Sequence, residues 1–271
     1  MNHLDPLKLY SNILSKAKEL GASLVGIANI KALKTAPSYL TAPMLPFYNG
    51  VGINKDKLEE LNYGEVKWPE GAKSVVVIAY AHPAEKPELD YWYGSKDPVG
   101  NKKLIEIVKG LIDWIVQEYG IGTFHLPYHV ERGGIFLKDA AVVAGMGCIG
   151  KNNLLVTPEY GSRVRLRGLT LDIELPSTGP TAFNPCVYCD ERCRKSCPQG
   201  SFNQQIYSPL EYGRAELPGR EGVYDRTLCN LQMEIDEDTA VEQQVGALNE
   251  PVKVIKYCRN CELSCPIGNR A

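Results

Sequence analysis

Eight of the nine cysteines fall after residue 185, in two runs and one isolated position. The first run places Cys186, Cys189, Cys193 and Cys197 ahead of Pro198. The second places Cys258, Cys261 and Cys265 ahead of Pro266, and Cys229 stands between the runs. Thiolates spaced this way can wrap a cubane from one short loop, with backbone amides turned toward its sulfides. The last cysteine of such a run leaves the loop for a second cluster, and proline there starts the next helix. Eight thiolates supply four ligands to each of two [4Fe–4S] clusters. The gap from Cys189 to Cys193 holds three residues, where the usual bacterial run has two. A zinc site would pair two knuckles, or a knuckle with histidines, yet all four histidines precede residue 130. Disulfides are less favoured still, because a chain of 271 residues buries enough core to do without staples. Irons filled by four cysteines carry single electrons and do no bond chemistry. A redox cofactor or reducible substrate is therefore expected in the rest of the chain.

Thirty Lys+Arg against 32 Asp+Glu give a formal charge of -2 and a pI near 6.1. So even a balance points away from nucleic acid as a partner, although a local basic patch stays open. No run approaches the roughly 18 apolar residues of a membrane helix. The start, Met1 to Pro6, carries no basic leader, twin arginine or apolar stretch, so the expectation is a cytoplasmic protein with no membrane partner.

The elements that must position these groups follow from periodicity. Asp5 and Pro6 suit a helix start, Leu7, Tyr10, Ile13, Leu14, Ala17 and Leu20 form its apolar stripe, and Gly21 stops it. Residues 23–30 read as a strand and 31–70 as loops and short turns. Ser74 to Tyr80 is continuously apolar, as in a strand buried on both faces. Residues 101–119 and 134–144 return to helical character. In the strand Ser162 to Leu175, Val164 and Leu166 share one parity while Leu169, Leu171 and Ile173 share the other. That switch predicts a bulge at Gly168. Arg163, Arg165 and Arg167 share one face, either solvated or holding an anionic or amide-rich ligand. Residues 176–180 break the pattern and predict a boundary between an α/β domain and a cysteine-rich module.

The stretch Ala144 to Leu155, with Gly147, Cys148, Gly150, Lys151 and Asn152, and the following Pro158 to Arg163 resemble epoxyqueuosine reductase. So does the cysteine order through Gly268, Asn269 and Arg270. The resemblance implies an α+β fold: a nitroreductase-like, corrinoid-binding domain over 1–175 and a ferredoxin-like module over 176–271. It further implies that Cys186, Cys189, Cys193 and Cys265 hold one cluster and that Cys197, Cys229, Cys258 and Cys261 hold the other. Cobalamin is the implied cofactor, with flavin as alternative. Its pocket is expected at Gly147, Cys148, Gly150, Lys151, Asn152, Arg163 and Arg165. Lys151 could contact a corrinoid amide or phosphate, or cap a carbonyl. Cys148 could be a small hydrophobe or a cobalt-proximal ligand.

The family's Asp-Thr-Gly-Pro segment, whose Asp donates a proton, corresponds here to Pro127, Tyr128, His129 and Val130, ahead of the retained Glu131-Arg132. The chain also ends just past the second cysteine run, without a helical-repeat extension. The resulting expectation is a corrinoid-dependent iron–sulfur reductase, an oxidoreductase fed by a ferredoxin-like donor. Its substrate is expected to be a small molecule or a corrinoid protein. The alternatives are an electron-transfer or corrinoid-activating partner of another enzyme, and tRNA epoxyqueuosine reduction. Reductive cleavage consumes protons, and Tyr128, His129 and Glu131 are the candidate sources. Tyr80 and His82, at the end of the buried strand, could face a ligand or merely form its turn.

Overall fold

The structure, a computed structural model, describes residues 5–46, 48–52, 62, 64–245 and 250–268. Asn269 and Arg270, part of the sequence resemblance, lie outside them, as do Met1 to Leu4. The helices are α1 (Pro6–Glu19), α2 (Ile30–Leu33), α3 (Pro37–Thr41), α4 (Val99–Tyr119), α5 (Leu137–Val143), α6 (Arg192–Lys195), α7 (Pro209–Tyr212), α8 (Arg226–Asp238) and α9 (Asn260–Leu263). The strands are β1 (Leu24–Asn29), β2 (Ser74–Ala81), β3 (Trp92–Tyr93), β4 (Thr123–His125), β5 (Cys148–Ile149), β6 (Leu155–Val156), β7 (Val164–Leu171), β8 (Val241–Gln243) and β9 (Val252–Ile255).

The main sheet has the order β1-β2-β7-β4, with every pair antiparallel. Its central strand β2 is apolar from Val75 to Ala79 because both faces are covered. Val76 and Ile78 pack with α1 and α4, whereas Val75, Val77 and Ala79 pack with α2 and α5. Each fully buried Val or Ile there contributes about 1.5–3 kcal/mol. Asp5 caps α1 by accepting from Leu7 N at 3.0 Å, and Gly120, with φ 64°, closes α4. The helix expected over 134–144 is confined to α5, preceded by a 3-10 turn at Val130–Arg132.

The bulge expected at Gly168 is absent. β7 pairs with β2 residue for residue from Val164↔Ala81 to Leu171↔Ser74. The switch of parity has another cause. Leu169 and Leu171 lie on the α4 face and Val164 and Leu166 on the α5 face, so both parities are covered. Gly168 leaves room for Val75 and Ile135, which an added Cβ would meet at 3.3 and 3.4 Å.

A second sheet, β3-β9-β8, joins the two halves of the chain, since β3 comes from residue 92 and β9 from residue 252. The connecting stretch is also tied down. Thr178 N donates to Ile27 O, and Ile27 N donates to Thr178 Oγ1, each at 2.9 Å.

Candidate functional site: a cavity walled by cysteines

A cavity of about 1390 Å³ opens between the main sheet's α5 side and the cysteine-bearing segment. Tyr128, His129 and Glu131 line it, as do Cys148, Lys151, Asn152 and Arg165. Cys197, Cys229, Cys258 and Cys261 all face it, together with Cys186.

All nine cysteines are free thiols. Cys193 is surrounded electrostatically by Cys265, Cys186 and Cys189; burial and these neighbours push it up to about 11. Cys261 is surrounded by Cys229, Cys258 and Cys197, and burial pushes it up as well. The thiols thus gather in two groups of four, each drawing members from distant parts of the chain. Among the described residues no three His, Cys, Asp or Glu side chains close on one ion-sized point, so each group is an open tetrad. Cys148 is the ninth thiol, and it sits against Cys186. The hydrogen bond between them favours the Cys186 thiolate, while burial and the same bond keep Cys148 protonated.

The hairpin β5-β6 carries the loop that the sequence marked. Gly147 and Gly150 do not line the cavity. They permit close backbone approach, since a Cβ on Gly147 would meet Val156 O at 2.0 Å and one on Gly150 would meet Val156 Cγ2 at 2.6 Å. Lys151 Nζ pairs with Glu191 Oε1 at 2.5 Å, between the two cysteines Cys189 and Cys193. Asn152, only 3% exposed, donates from Nδ2 to Ser162 Oγ (3.1 Å) and Cys261 O (3.2 Å). The loop therefore grips the cysteine-bearing segment at both tetrads.

The arginine face of β7 is neither solvated nor free. Arg163 donates to Cys265 O at 3.1 Å and Ile267 O at 2.7 Å. Arg165 bridges Asp90 Oδ1 at 2.9 Å and Glu262 Oε2 at 3.0 Å. Arg167 donates to Asn101 Oδ1 at 3.0 Å and stacks 4.7 Å over the Tyr128 ring. His82 faces no ligand: it is 1% exposed and its Nδ1 lies 2.9 Å from Asp90 Oδ1. Arg259 completes this knot with an ion pair to Asp90 Oδ2 at 2.8 Å and bonds to Glu262. Asp90 is held below the usual carboxylate range, because His82, Arg165 and Arg259 outweigh its burial.

On the far wall, His129 Nδ1 lies 4.0 Å from Glu131 Oε2. Lys138 donates to Asn153 O at 2.6 Å, and burial pushes its ammonium down to about 8. Asp139 accepts from Ser38 N at 3.0 Å, its buried Oδ2 has no hydrogen-bond partner among the described residues, and burial raises its carboxyl. Sequence spacing singled out neither Lys138 nor Asp139. Nothing local distinguishes them from an ordinary helix start.

No protein-family model matches the chain. The chain is similar to epoxyqueuosine reductases. It is 27% identical over 280 residues to the enzyme of Gloeobacter violaceus, covering 96% of this chain and 76% of that one. It is 29% identical over 217 residues to that of Listeria monocytogenes, covering 73% and 53%. To that of Lactococcus garvieae it is 32% identical over 142 residues, covering 48% and 38%. The chain thus spans between 38% and 76% of the length of these curated relatives. An epoxyqueuosine reductase solved with an epoxyqueuosine-modified tRNA-Tyr stem loop superposes with a TM-score of 0.64 at 20% identity, over 98% of this chain and 67% of that one. A catabolic reductive dehalogenase solved with 3-bromo-4-hydroxybenzoic acid gives 0.62 at 17%, over 98% and 33%.

The fold is therefore a mixed α/β fold like those of epoxyqueuosine reductase and reductive dehalogenase. These likenesses also correct one expectation. The even charge balance pointed away from nucleic acid, yet the similar proteins are epoxyqueuosine reductases, one of them solved with a tRNA stem loop. Net charge sums a whole surface, whereas a stem loop touches only a part of it. No helix among the described residues is long and apolar enough to cross a membrane.

Proposed function

We propose that this chain is an iron–sulfur, corrinoid-dependent reductase acting on epoxyqueuosine in tRNA. The observation that carries the reading is the sorting of eight thiols into two tetrads, one of which lines the large cavity whole. Cys186, Cys189, Cys193 and Cys265 would hold one [4Fe–4S] cluster, and Cys197, Cys229, Cys258 and Cys261 the other. Both tetrads offer the soft thiolate donors that such clusters take.

The cavity, at about 1390 Å³, exceeds the usual range for a small ligand and suits a macrocycle together with part of a substrate. Lys138 and Asp139 are among its lining residues, polar side chains that suit a cofactor rich in amides. Clusters and corrinoid, when bound, would supply single electrons and a strongly reducing metal. The chain's own residues do the rest. The β5-β6 loop fixes the tetrads against the cavity through Lys151 and Asn152. Arg163 and Arg165 hold the second cysteine run to the sheet. His129, with Glu131 Oε2 4.0 Å from its Nδ1, would pass a proton to the opened epoxide oxygen, taking the place of the family's Asp. Tyr128, steadied by Arg167, presents an exposed ring on which a base can stack.

Anaerobic reconstitution tests the reading. Iron and sulfide near eight each per chain are expected, with a corrinoid spectrum on adding cobalamin. Queuosine should be restored in tRNA of a strain lacking the reductase. Full clusters without corrinoid binding or restoration would overturn it.

A further inference from the structure

Three residues other than glycine adopt positive φ among the described residues: Asn153 (59°), Glu191 (58°) and Arg220 (75°). Side chains bearing a Cβ rarely take this conformation, and where they do, the surroundings must enforce it. The three are far apart in sequence, yet they belong to one hydrogen-bonded network. Asn153 Oδ1 accepts from Gly219 N at 3.2 Å, beside Arg220. Glu191 binds Lys151 at 2.5 Å and Arg194 at 3.3 Å. Arg194 in turn donates to Lys151 O at 3.1 Å and to Gly219 O at 2.8 Å. Leu217 N closes the turn on Arg220 O at 3.1 Å.

The network delivers one group to one place. The Arg220 guanidinium is braced by Asn184 Oδ1 at 2.7 Å, two positions before Cys186, and lies on the wall of the cavity that Cys186 and Cys148 also line. Lys151 and Arg194 spend their charge on Glu191 and Glu221, whereas Arg220 has no carboxylate partner among the described ion pairs. Its charge is left free to act on the cysteine loop that Asn184 opens.

We propose that Arg220, held by this strained network, raises the reduction potential of the cluster ligated by Cys186, Cys189, Cys193 and Cys265. The inference rests on the cluster reading above. Reduction adds one electron to the cluster, and no bond forms or breaks. A fixed cation close to a ligand sulfur stabilises the added negative charge, all the more because Cys186 is buried.

The test is an anaerobic redox titration of the reconstituted full chain, followed by electron paramagnetic resonance. In Arg220→Gln the reduced-to-oxidised ratio of one cluster, at the wild-type midpoint, is expected to fall about tenfold, a shift of ~59 mV for one electron. The other cluster's signal should hold its midpoint. Arg220→Lys keeps the charge and should recover most of the ratio. Arg220→Gly suits φ 75°, so it should match the wild type in melting temperature and iron content while titrating like the Gln variant. That separates redox tuning from fold support. Unchanged ratios in the Gln and Gly variants at full iron content would overturn the inference and leave the cluster reading intact. Absence of iron from the reconstituted wild type would overturn both.

Discussion

Arg163 Nη1 stands 3.1 Å from the carbonyl oxygen of Cys265, although 102 positions separate the two residues. Nη2 of the same side chain reaches Ile267 O at 2.7 Å, and Arg163 is 5% exposed. One strand of the main sheet thereby fixes the end of the second cysteine run.

Replacing Arg163 with Met should leave two carbonyls without this donor. A loss of about 2–4 kcal/mol is expected, from two charge-assisted bonds in a buried place. Arg163→Lys should recover less than half, since a point charge cannot serve both oxygens as the planar fork does. Thermal unfolding of the metal-free chain measures it, and an unchanged midpoint for the Met variant would count against the clamp.

Iron content distinguishes the tetrads from the ninth thiol. Cys193→Ala removes a member of the first tetrad and should lower bound iron from about eight to about four per chain. Cys148→Ala, which touches Cys186 without belonging to a tetrad, should keep about eight. Equal losses in the two variants would contradict this division.

His129→Gln should slow reduction of the tRNA substrate about 100-fold, the usual scale for losing a positioned proton donor. The visible spectrum of the clusters should not change. Full activity in this variant would show that the proton reaches the substrate from elsewhere on the cavity wall.

Lys138 gives a pH dependence of known sign. Its folded pKa, about 8, lies below the ordinary lysine value of 10.5. Between those values the unfolded chain carries a proton that the folded chain has lost, so stability rises as pH rises through the window. The penalty for holding the ammonium is fully present below about 8. The gain from pH 7.5 to 9.5 should be about 1–2 kcal/mol, less than the whole shift because this window covers only part of the interval from about 8 to 10.5. Urea unfolding at the two pH values measures the gain, and Lys138→Met should abolish it.

The local patterns were legible in the sequence. Burial on both faces made β2 apolar from Val75 to Ala79, and helical spacing marked α1 and α4 to within a turn. The spacing of the cysteine runs pointed to cluster ligands, a reading that the proposed function keeps. The arginine face of β7 shows where such reading stops. Alternation placed Arg163, Arg165 and Arg167 together, but their partners, such as Asp90, Asn101, Glu262 and Cys265, lie elsewhere in the chain. The supposed bulge at Gly168 failed for a related reason: alternation assumes one covered face, and this strand has two.

Neighbours along the chain were enough to set strand and helix periods, caps, and the short runs of thiols. Tertiary packing alone brings the thiols of the two runs together, seats the glycine-rich hairpin against both runs, and sets Arg220 on the cavity wall that Cys186 shares. Those relationships come from packing and from charge pairing between segments that meet only after the sheet has formed. Spacing along a chain carries no record of distance across it.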